Sequence, residues 1–180
     1  ANLATASYSG GYATGDTLTN IEGLEGSTHD DTLTGDAGDN LLIGGLGGDA
    51  IDGGAGFDTA SFENAASAVT VDLGLGTGSA GEAVDDTYTN IERIVGSVFD
   101  DTLIGDAFDN TLEGGDGDDA LFGAAGDDIL DGGDGDDSLV GGLGADQFIG
   151  GAGTDTVDYS AAASGVTANL QTNAASGGEA

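Results

Sequence analysis

Aspartate recurs at every ninth position along one stretch of the sequence, and this spacing is the strongest chemical signal in the chain. Between 114 and 158 it stands at Asp119, Asp128, Asp137, Asp146 and Asp155. Carboxylates are hard oxygen ligands, and Ca²⁺ takes about 6–8 oxygens from carboxylates and carbonyls. One nine-residue segment cannot supply that many oxygens, whereas two stacked segments can. The spacing therefore predicts calcium sites shared between copies of a small repeated unit.

Five consecutive nine-residue units carry these aspartates. They read GGDGDDALF, GAAGDDILD, GGDGDDSLV, GGLGADQFI and GGAGTDTVD, and their positions are called places one to nine below. Glycine at places one and four allows a tight turn with carbonyls directed inward. The last three places are long enough for a short strand whose apolar eighth residue points inside. Each unit therefore predicts one turn followed by one strand.

The units resemble the RTX (repeats-in-toxin) nonapeptide calcium-binding repeat family, whose pattern is G-G-x-G-x-D-x-U-x with U apolar. The resemblance implies an all-β fold, a right-handed parallel β-roll (β-solenoid) with Ca²⁺ bound in the turns. In that family two units make one coil, so units eighteen residues apart lie above each other. Asp119 is then expected to pair with Asp137, Asp128 with Asp146, and Asp137 with Asp155.

The resemblance also implies which atoms hold each ion, and with them about seven ions. The sixth-place side chains expected to bind Ca²⁺ are Asp31, Asn40, Asp49, Asp58, Asp101, Asn110, Asp119, Asp128, Asp137, Asp146 and Asp155. The expected carbonyls at places two and four of the first turn of a pair belong to Ser27, His29, Asp36, Gly38, Ser97, Phe99, Asp106, Phe108, Gly115, Gly117, Ala124, Gly126, Gly133 and Gly135. Those at places one and three of the second turn belong to Gly44, Leu46, Gly53, Ala55, Gly114, Asp116, Gly123, Ala125, Gly132, Asp134, Gly141, Leu143, Gly150 and Ala152.

Some turns depart from the pattern, and their sites are expected to be weaker. Asn40 and Asn110 replace Asp at the sixth place. The units at 26–34, 96–104 and 105–113 lack Gly at the fourth place. We therefore expect the sites of full strength in the units from 114 onward.

The units form two arrays separated by interruptions. Four units occupy 26–61, the first array, and seven occupy 96–158, the second array. Residues 1–25 are interpreted as a partial module that forms a wider solenoid coil. The segment at 62–95 is an interrupting coil and loop, and 159–180 begins the next interruption.

The interruptions are themselves repeated. Residues 65–73 correspond to 162–170 with an offset of 97, and residues 16–37 correspond to 86–107 with an offset of 70. A larger module therefore contains both the interruption and the calcium-type turns. Because the chain opens and stops in the middle of this module, we expect it to be an excerpt of a longer repeat protein.

The interruption at 62–95 has its own apolar pattern. Val69, Val71 and Leu73 alternate with polar residues, which indicates a half-buried strand, and a second apolar cluster lies at 91–95. We expect a wider coil that continues the solenoid, with a surface loop at 74–81. A separate small domain is the alternative, for which few apolar residues are available. Helix is disfavoured throughout by the glycine content.

The charge of the chain is extreme. It has 34 acidic residues against one Lys or Arg, a formal net charge of −33, and neither Pro nor Cys. Composition of this kind is typical of an acidic disordered tract. The nine-residue phasing favours a fold instead, and both observations agree if the chain is disordered without metal and folded with it.

The same charge excludes several partners. Arg93 is the only Lys or Arg, so contacts to nucleic-acid phosphates or to anionic membranes are excluded. No stretch approaches the roughly 20 apolar residues of a membrane span, so no membrane insertion is expected. Arg93 is expected to pair with nearby carboxylates. His29, the only histidine, is expected to cover the end of a calcium stack. No HExxH or GxSxG motif is present, and we expect no enzyme activity.

These observations predict a structural function. The resemblance implies a calcium-binding repeat region of a long protein, secreted by a type I secretion system and associated with the cell surface, such as an adhesin stalk, surface layer or extracellular filament. Such a region would fold and stiffen on binding extracellular Ca²⁺, and copies could associate end to end through open strand edges. The alternative is a non-catalytic C-terminal module of a type I-secreted enzyme, such as a protease, lipase or alginate epimerase.

Overall fold

Short β-strands and tight turns alternate along the part of the chain that the structure describes. The computed structural model describes residues 1–4, 16–170 and 174–177. The strands in the first array and the interruption are β1 (Gly23–Glu25), β2 (Thr32–Thr34), β3 (Leu41–Ile43), β4 (Ala50–Asp52), β5 (Thr59–Ser61), β6 (Thr70–Asp72), β7 (Thr77–Ala80), β8 (Thr87–Thr89) and β9 (Arg93–Val95). Those that follow are β10 (Thr102–Ile104), β11 (Thr111–Asp116), β12 (Ala120–Ala125), β13 (Ile129–Asp134), β14 (Ser138–Leu143), β15 (Gln147–Ala152), β16 (Thr156–Val157), β17 (Val166–Asn169) and β18 (Ala174–Gly177). One turn of 3-10 helix, Gly81–Ala83, lies between β7 and β8.

Strands β1 to β16 form two sheets, in which strands of the arrays pair with a register of eighteen residues. The first sheet has seven strands in the order β1-β3-β5-β9-β11-β13-β15, and the second has nine in the order β16-β14-β12-β10-β6-β7-β8-β4-β2. Within the arrays all pairs are parallel, and Leu112 pairs with Leu130 as Leu121 pairs with Leu139. Two units therefore make one coil, and the prediction of an all-β parallel β-roll is confirmed. Strands β17 and β18 form a separate antiparallel pair.

The core is a stripe of eighth-place side chains between the two sheets. Leu42, Leu103, Leu112, Leu121 and Leu130 are fully buried. The stripe is one side chain wide on each sheet because alternate residues of a strand point to opposite faces. At the end of the second array Phe148 and Val157 are only partly buried.

Five strands in the second array, β11 to β15, are longer than the three residues expected from the repeat. From β11 to β15 each has six residues, which cover places seven to nine and then places one to three of the next unit. Gly115 pairs with Gly133 in this extension. Both have a positive φ, 112° and 102°, a conformation that favours glycine. The first three residues of the turn therefore continue the hydrogen-bond ladder of the sheet.

The interruption adds one strand to the first sheet and three to the second. Strand β9 lies between β5 and β11, whereas β8, β7 and β6 lie between β4 and β10. Strand β7 is antiparallel to both of its neighbours. The expectation of a surface loop at 74–81 is therefore wrong over Thr77–Ala80. Without β7 the facing edges of β6 and β8 would leave their backbone groups unpaired.

The core continues through the interruption without a gap. Val71, Tyr88 and Ile94 occupy the positions that eighth-place residues hold elsewhere, and all three are buried. The Phe62 and Tyr88 rings meet edge to face with centroids 6.4 Å apart. The buried residues from Leu33 to Leu139 belong to a single cluster. The wider coil thus extends the same solenoid.

Arg93 pairs with a carboxylate, as expected. Its Nη2 atom lies 2.7 Å from Oε2 of Glu113 on the neighbouring strand, the only ion pair in the described residues. Both side chains are about one third exposed, so the pair contributes at most about 1 kcal/mol. In the part of the chain that the structure describes, no helix has the length and apolar character that crossing a membrane requires.

The core stripe generates a stability prediction. Replacing the fully buried Leu121 by Ala should lower the free energy of unfolding by about 2–5 kcal/mol, because a cavity opens between two sheets that meet only along this stripe. Urea unfolding at saturating Ca²⁺ measures the effect. Leu75→Ala is the control, since Leu75 is 76% exposed. Equal losses in the two variants would contradict the proposed core.

Candidate metal centre

The turns stack along the two edges of the roll. Turns that enter strands of the seven-stranded sheet form the first edge, and turns that enter strands of the nine-stranded sheet form the second edge. The calcium-type turns of the first edge are 35–40, 53–58, 105–110, 123–128 and 141–146. Those of the second edge are 26–31, 44–49, 96–101, 114–119, 132–137 and 150–155. Each edge therefore places sixth-place side chains above one another every eighteen residues.

One hydrogen bond is repeated between stacked sixth places. The backbone N–H of Asp119 donates to Oδ1 of Asp137 at 2.9 Å. Asp128 donates in the same way to Asp146 at 3.1 Å, and Asp137 to Asp155 at 3.2 Å. The same bond, at 2.7–2.8 Å, joins Asp31 to Asp49, Asn40 to Asp58, Asp101 to Asp119 and Asn110 to Asp128. The structure thus brings together every sixth-place pair that the repeat predicts.

The second oxygen of these carboxylates lacks a partner in many turns. No hydrogen bond reaches Oδ2 of Asp49, Asp58, Asp119, Asp128 or Asp137, and these oxygens are buried. Each of the five side chains is at most 2% exposed. A buried carboxylate oxygen without a partner is strongly unfavourable, so a cation is the group that fits here. These oxygen donors therefore fit a hard divalent ion.

First-place glycines leave space beside these oxygens. A Cβ added at Gly114 would overlap Oδ2 of Asp119 and the carbonyl oxygen of Gly132 in the next turn. A Cβ at Gly132 would meet Asp137 Oδ2 and the Gly150 carbonyl oxygen in the same way. The predicted first-place carbonyls therefore lie next to the orphaned oxygens.

The other predicted carbonyls face the adjacent turn. Oxygens of Gly115 and Gly117, at places two and four, lie against Gly133 and Gly135 of the turn above. At the third place, the Asp134 carbonyl accepts the N–H of Gly117 at 2.8 Å. The third-place carbonyls of Leu143 and Ala152 accept N–H groups of fourth-place glycines in the same way. A carbonyl has a second lone pair, so this bond leaves room for a metal contact.

In the first turn of each array on each edge, the sixth-place side chain accepts a hydrogen bond from a backbone N–H of its own turn. The N–H of Asp36 donates to Oδ1 of Asn40 at 2.7 Å, and the N–H of Asp106 donates to Oδ1 of Asn110 at 2.7 Å. The N–H groups of Ser27 and Ser97 donate likewise to Oδ2 of Asp31 and Asp101. These are the turns in which the sequence predicts weaker sites, and an internal hydrogen bond that competes with the ion gives that prediction a physical basis.

Fourth-place side chains of these opening turns point to solvent. Phe108 is 73% exposed and Phe99 is 40% exposed. His29 is also exposed, and its Nδ1 lies 3.3 Å from Thr28 Oγ1. Its carbonyl carbon and oxygen lie beside Gly47 in the next turn. The contribution of His29 to a site is therefore through its backbone.

Burial and like charges disfavour the ionised carboxylates. Burial is the main cause that raises the pKa of Asp119 to about 7; the Asp101 N–H lowers this pKa, and the charges of Asp101 and Asp137 add smaller increases. Burial raises the pKa of Asp128 to about 6. The pKa of Asp137 is also raised, mainly by burial. A bound cation removes this penalty, because opposite charge favours the carboxylate form.

Two carboxylates outside the repeats accept the same backbone hydrogen bond from a sixth-place aspartate. The sequence analysis did not predict either of them as a site residue. The N–H of Asp49 donates to Oδ1 of Asp86 at 2.7 Å, and the N–H of Asp58 donates to Oε2 of Glu92 at 2.8 Å. A signal existed for Asp86, since DDTYT at 85–89 repeats DDTLT at 30–34. Glu92 is three residues too early for the nonapeptide period, so spacing alone could not identify it.

The side-chain content of each site is small. Among the described residues, no group of three His, Cys, Asp or Glu side chains converges as a metal cluster would. Stacked turns contribute two sixth-place side chains and otherwise backbone carbonyls. Such an all-oxygen set suits Ca²⁺, whereas Zn²⁺ prefers nitrogen and sulfur. When bound, the ion supplies positive charge that holds consecutive turns together.

Asp119 generates a prediction about metal affinity. Asp119→Asn should raise the Ca²⁺ concentration needed for folding by about tenfold, because the residue belongs to two stacked turn pairs and loses its charge in both. A Ca²⁺ titration followed by circular dichroism measures the midpoint. Asp116→Asn is the control, since it removes the same charge from an exposed side chain in the same turn. Equal shifts would show that only net charge matters.

Comparison with known families agrees with this geometry. The RTX calcium-binding nonapeptide repeat (4 copies) matches at residues 25–60, 95–130 and 122–157, together more than half of the 180 residues. No curated protein matches the chain. The matched ranges lie on the two arrays whose turns carry the stacked carboxylates, and the chain belongs to the RTX calcium-binding nonapeptide repeat family.

Proposed function

We propose that this chain is a non-catalytic structural segment of a long secreted or cell-surface protein, folded and stiffened by extracellular Ca²⁺. The observation that carries the proposal is the row of buried carboxylate oxygens without partners, in Asp49, Asp58, Asp119, Asp128 and Asp137. With a net charge of −33, the chain requires cations in order to close into the roll. Extracellular calcium modules typically bind at about 10⁻⁴–10⁻³ M, above cytosolic calcium levels.

Export through a type I secretion system fits this dependence on calcium. A chain that is unfolded at low calcium can pass through a narrow channel, and it folds when it reaches a calcium-rich medium. Binding energy of the ions then serves as folding energy, and folding takes place outside the cell. This part of the proposal rests on the family and on the charge of the chain.

Stiffness supports a stalk, surface-layer or filament role. Metal-binding turns line both edges, and one apolar cluster runs through the interruption from Leu33 to Leu139. Neighbouring coils are therefore linked by backbone ladders, core contacts and ions at once. We assign no catalysis to the segment, because its buried carboxylates recur with the repeat and each accepts a backbone N–H.

The alternative of a non-catalytic module on a secreted enzyme uses the same calcium chemistry. Sequence adjoining this chain distinguishes the two. Further copies of the module support a stalk, and a protease, lipase or epimerase domain supports an enzyme appendage.

Calcium-driven folding is the central expectation. Far-ultraviolet circular dichroism should show a cooperative change from coil to β-structure as Ca²⁺ is added, and a chelator should reverse it. Mg²⁺ should not substitute at equal concentration, because it demands a smaller octahedral site and gives up its water reluctantly. A spectrum that stays coil-like at saturating Ca²⁺, or an equal response to Mg²⁺, would contradict the proposal.

End-to-end association of copies is a second expectation. In the described residues, β15 and β16 are the last strands of the two sheets, so each has one edge without a strand partner. Open edges of this kind template further pairing. Sedimentation velocity at saturating Ca²⁺ should show species larger than one chain, and their fraction should rise with protein concentration. A chain that remains monomeric across the accessible concentrations would refute this part.

A further inference from the structure

Asp58 is the last sixth-place aspartate of the first array on its edge of the roll. The nonapeptide turn at 35–40 stacks on one side of 53–58, but none stacks on the other side, since the chain enters the interruption at 62. Asp58 is nevertheless 0% exposed, and its Oδ2 has no hydrogen-bond partner. Asp119, Asp128 and Asp137, each followed by another calcium-type turn, share both properties. The turn at 53–58 therefore has the same need for a cation as turns inside the array.

Glu92 stands where the next sixth-place side chain would be. The Asp58 N–H donates to its Oε2 at 2.8 Å, which matches the 2.9 Å bond from Asp119 to Asp137. Only 90–92 separate strands β8 and β9, whereas a calcium-type turn has six residues. The longer side chain of Glu places a carboxylate at a position that the shorter turn would not reach with Asp.

Asn90 supplies the carbonyl that completes the arrangement. A Cβ added at Gly53 would overlap both the Asn90 carbonyl oxygen and Asp58 Oδ2, as a Cβ at Gly114 would overlap the corresponding atoms in the second array. Asn90 has a φ of 53°, and its Nδ2 donates to Asp52 Oδ1 at 2.8 Å. This bond fixes the left-handed conformation that directs the carbonyl toward Gly53.

We propose that a Ca²⁺ ion binds between the turn at 53–58 and the turn at 90–92, held by the carboxylates of Asp58 and Glu92 and by the carbonyl of Asn90. The site extends the calcium row beyond the nonapeptides and joins the first array to the interruption. The nonapeptide pattern does not assign it, because the matched ranges end at 60 and resume at 95. It rests on the calcium binding of the family and is independent of the extracellular role.

The opposite edge shows a contact that shares the buried, unpartnered Oδ2, here of Asp49, but lacks both the free carboxylate oxygen and the carbonyl that would complete a site. Asp49 N–H donates to Oδ1 of Asp86, and Oδ2 of Asp86 accepts the Tyr88 hydroxyl at 2.8 Å. The three atoms nearest to a Cβ at Gly44 all belong to Asp49, with no carbonyl of the next turn among them. Both Asp86 oxygens are therefore occupied by hydrogen bonds, and we assign no ion there.

Counting bound ions tests the site. Native mass spectrometry at matched free Ca²⁺ should show one ion fewer in Glu92→Gln than in the unmodified chain, since the amide keeps an acceptor for the Asp58 N–H but loses the charge. Glu63→Gln is the matched control, because Glu63 lies in the same interruption with an exposed side chain. Its ion count should equal that of the unmodified chain. Equal counts in all three proteins would overturn the proposal.

A crystal structure of the unmodified chain with Ca²⁺ provides a second, independent readout. We expect an anomalous difference peak between Asp58 and Glu92 as well as peaks between the stacked turns from 114 to 155. Peaks in the second array with none between Asp58 and Glu92 would refute this site and leave calcium binding by the repeats intact. This outcome decides the question even if Glu92→Gln does not fold.

Discussion

Burial of stacked like charges is the constraint on which the rest of this structure depends. The eighteen-residue register places sixth-place carboxylates above one another along both edges. Hydrogen bonds from backbone N–H groups to these carboxylates hold them in this position. Removing carboxylates from water is costly unless opposite charge compensates for it. The single Arg93 is occupied by Glu113, so the compensation must come from outside the chain. Calcium binding, which the repeat family provides, supplies such a charge.

The small core makes this dependence stronger. Each nonapeptide buries one large apolar side chain, in a stripe such as Leu112, Leu121 and Leu130. Glycine at the turns adds conformational entropy to the unfolded chain, which opposes folding. A core of this width gives limited stabilisation by itself, so ion binding has to contribute folding free energy. The proposed folding of the chain by Ca²⁺ rests on this balance.

The interruption preserves the roll while changing the pattern that builds it. Val71, Tyr88 and Ile94 keep the core continuous, and β7 pairs with β6 and β8 so that the wider sheet has no open edge inside it. Asp86 and Glu92 accept the N–H groups of the last sixth-place aspartates before the interruption. The boundary between the first array and the interruption is therefore built into the solenoid on both edges.

The sequence by itself determined the core stripe, and with the two units per coil that its resemblance to the repeat family implies, it also determined the coil and the pairing of sixth-place residues. A strict nine-residue period then leaves one consistent register. It also predicted the pairing of Arg93 and the continuity of the solenoid through 62–95. Only the tertiary structure decided that Thr77–Ala80 is an antiparallel strand and that Glu92 replaces a sixth-place aspartate. These features depend on contacts across the interruption, where a three-residue turn shifts the period. Strand pairing in the interruption depends on which backbone groups need hydrogen-bond partners, and the sequence period does not show which groups these are.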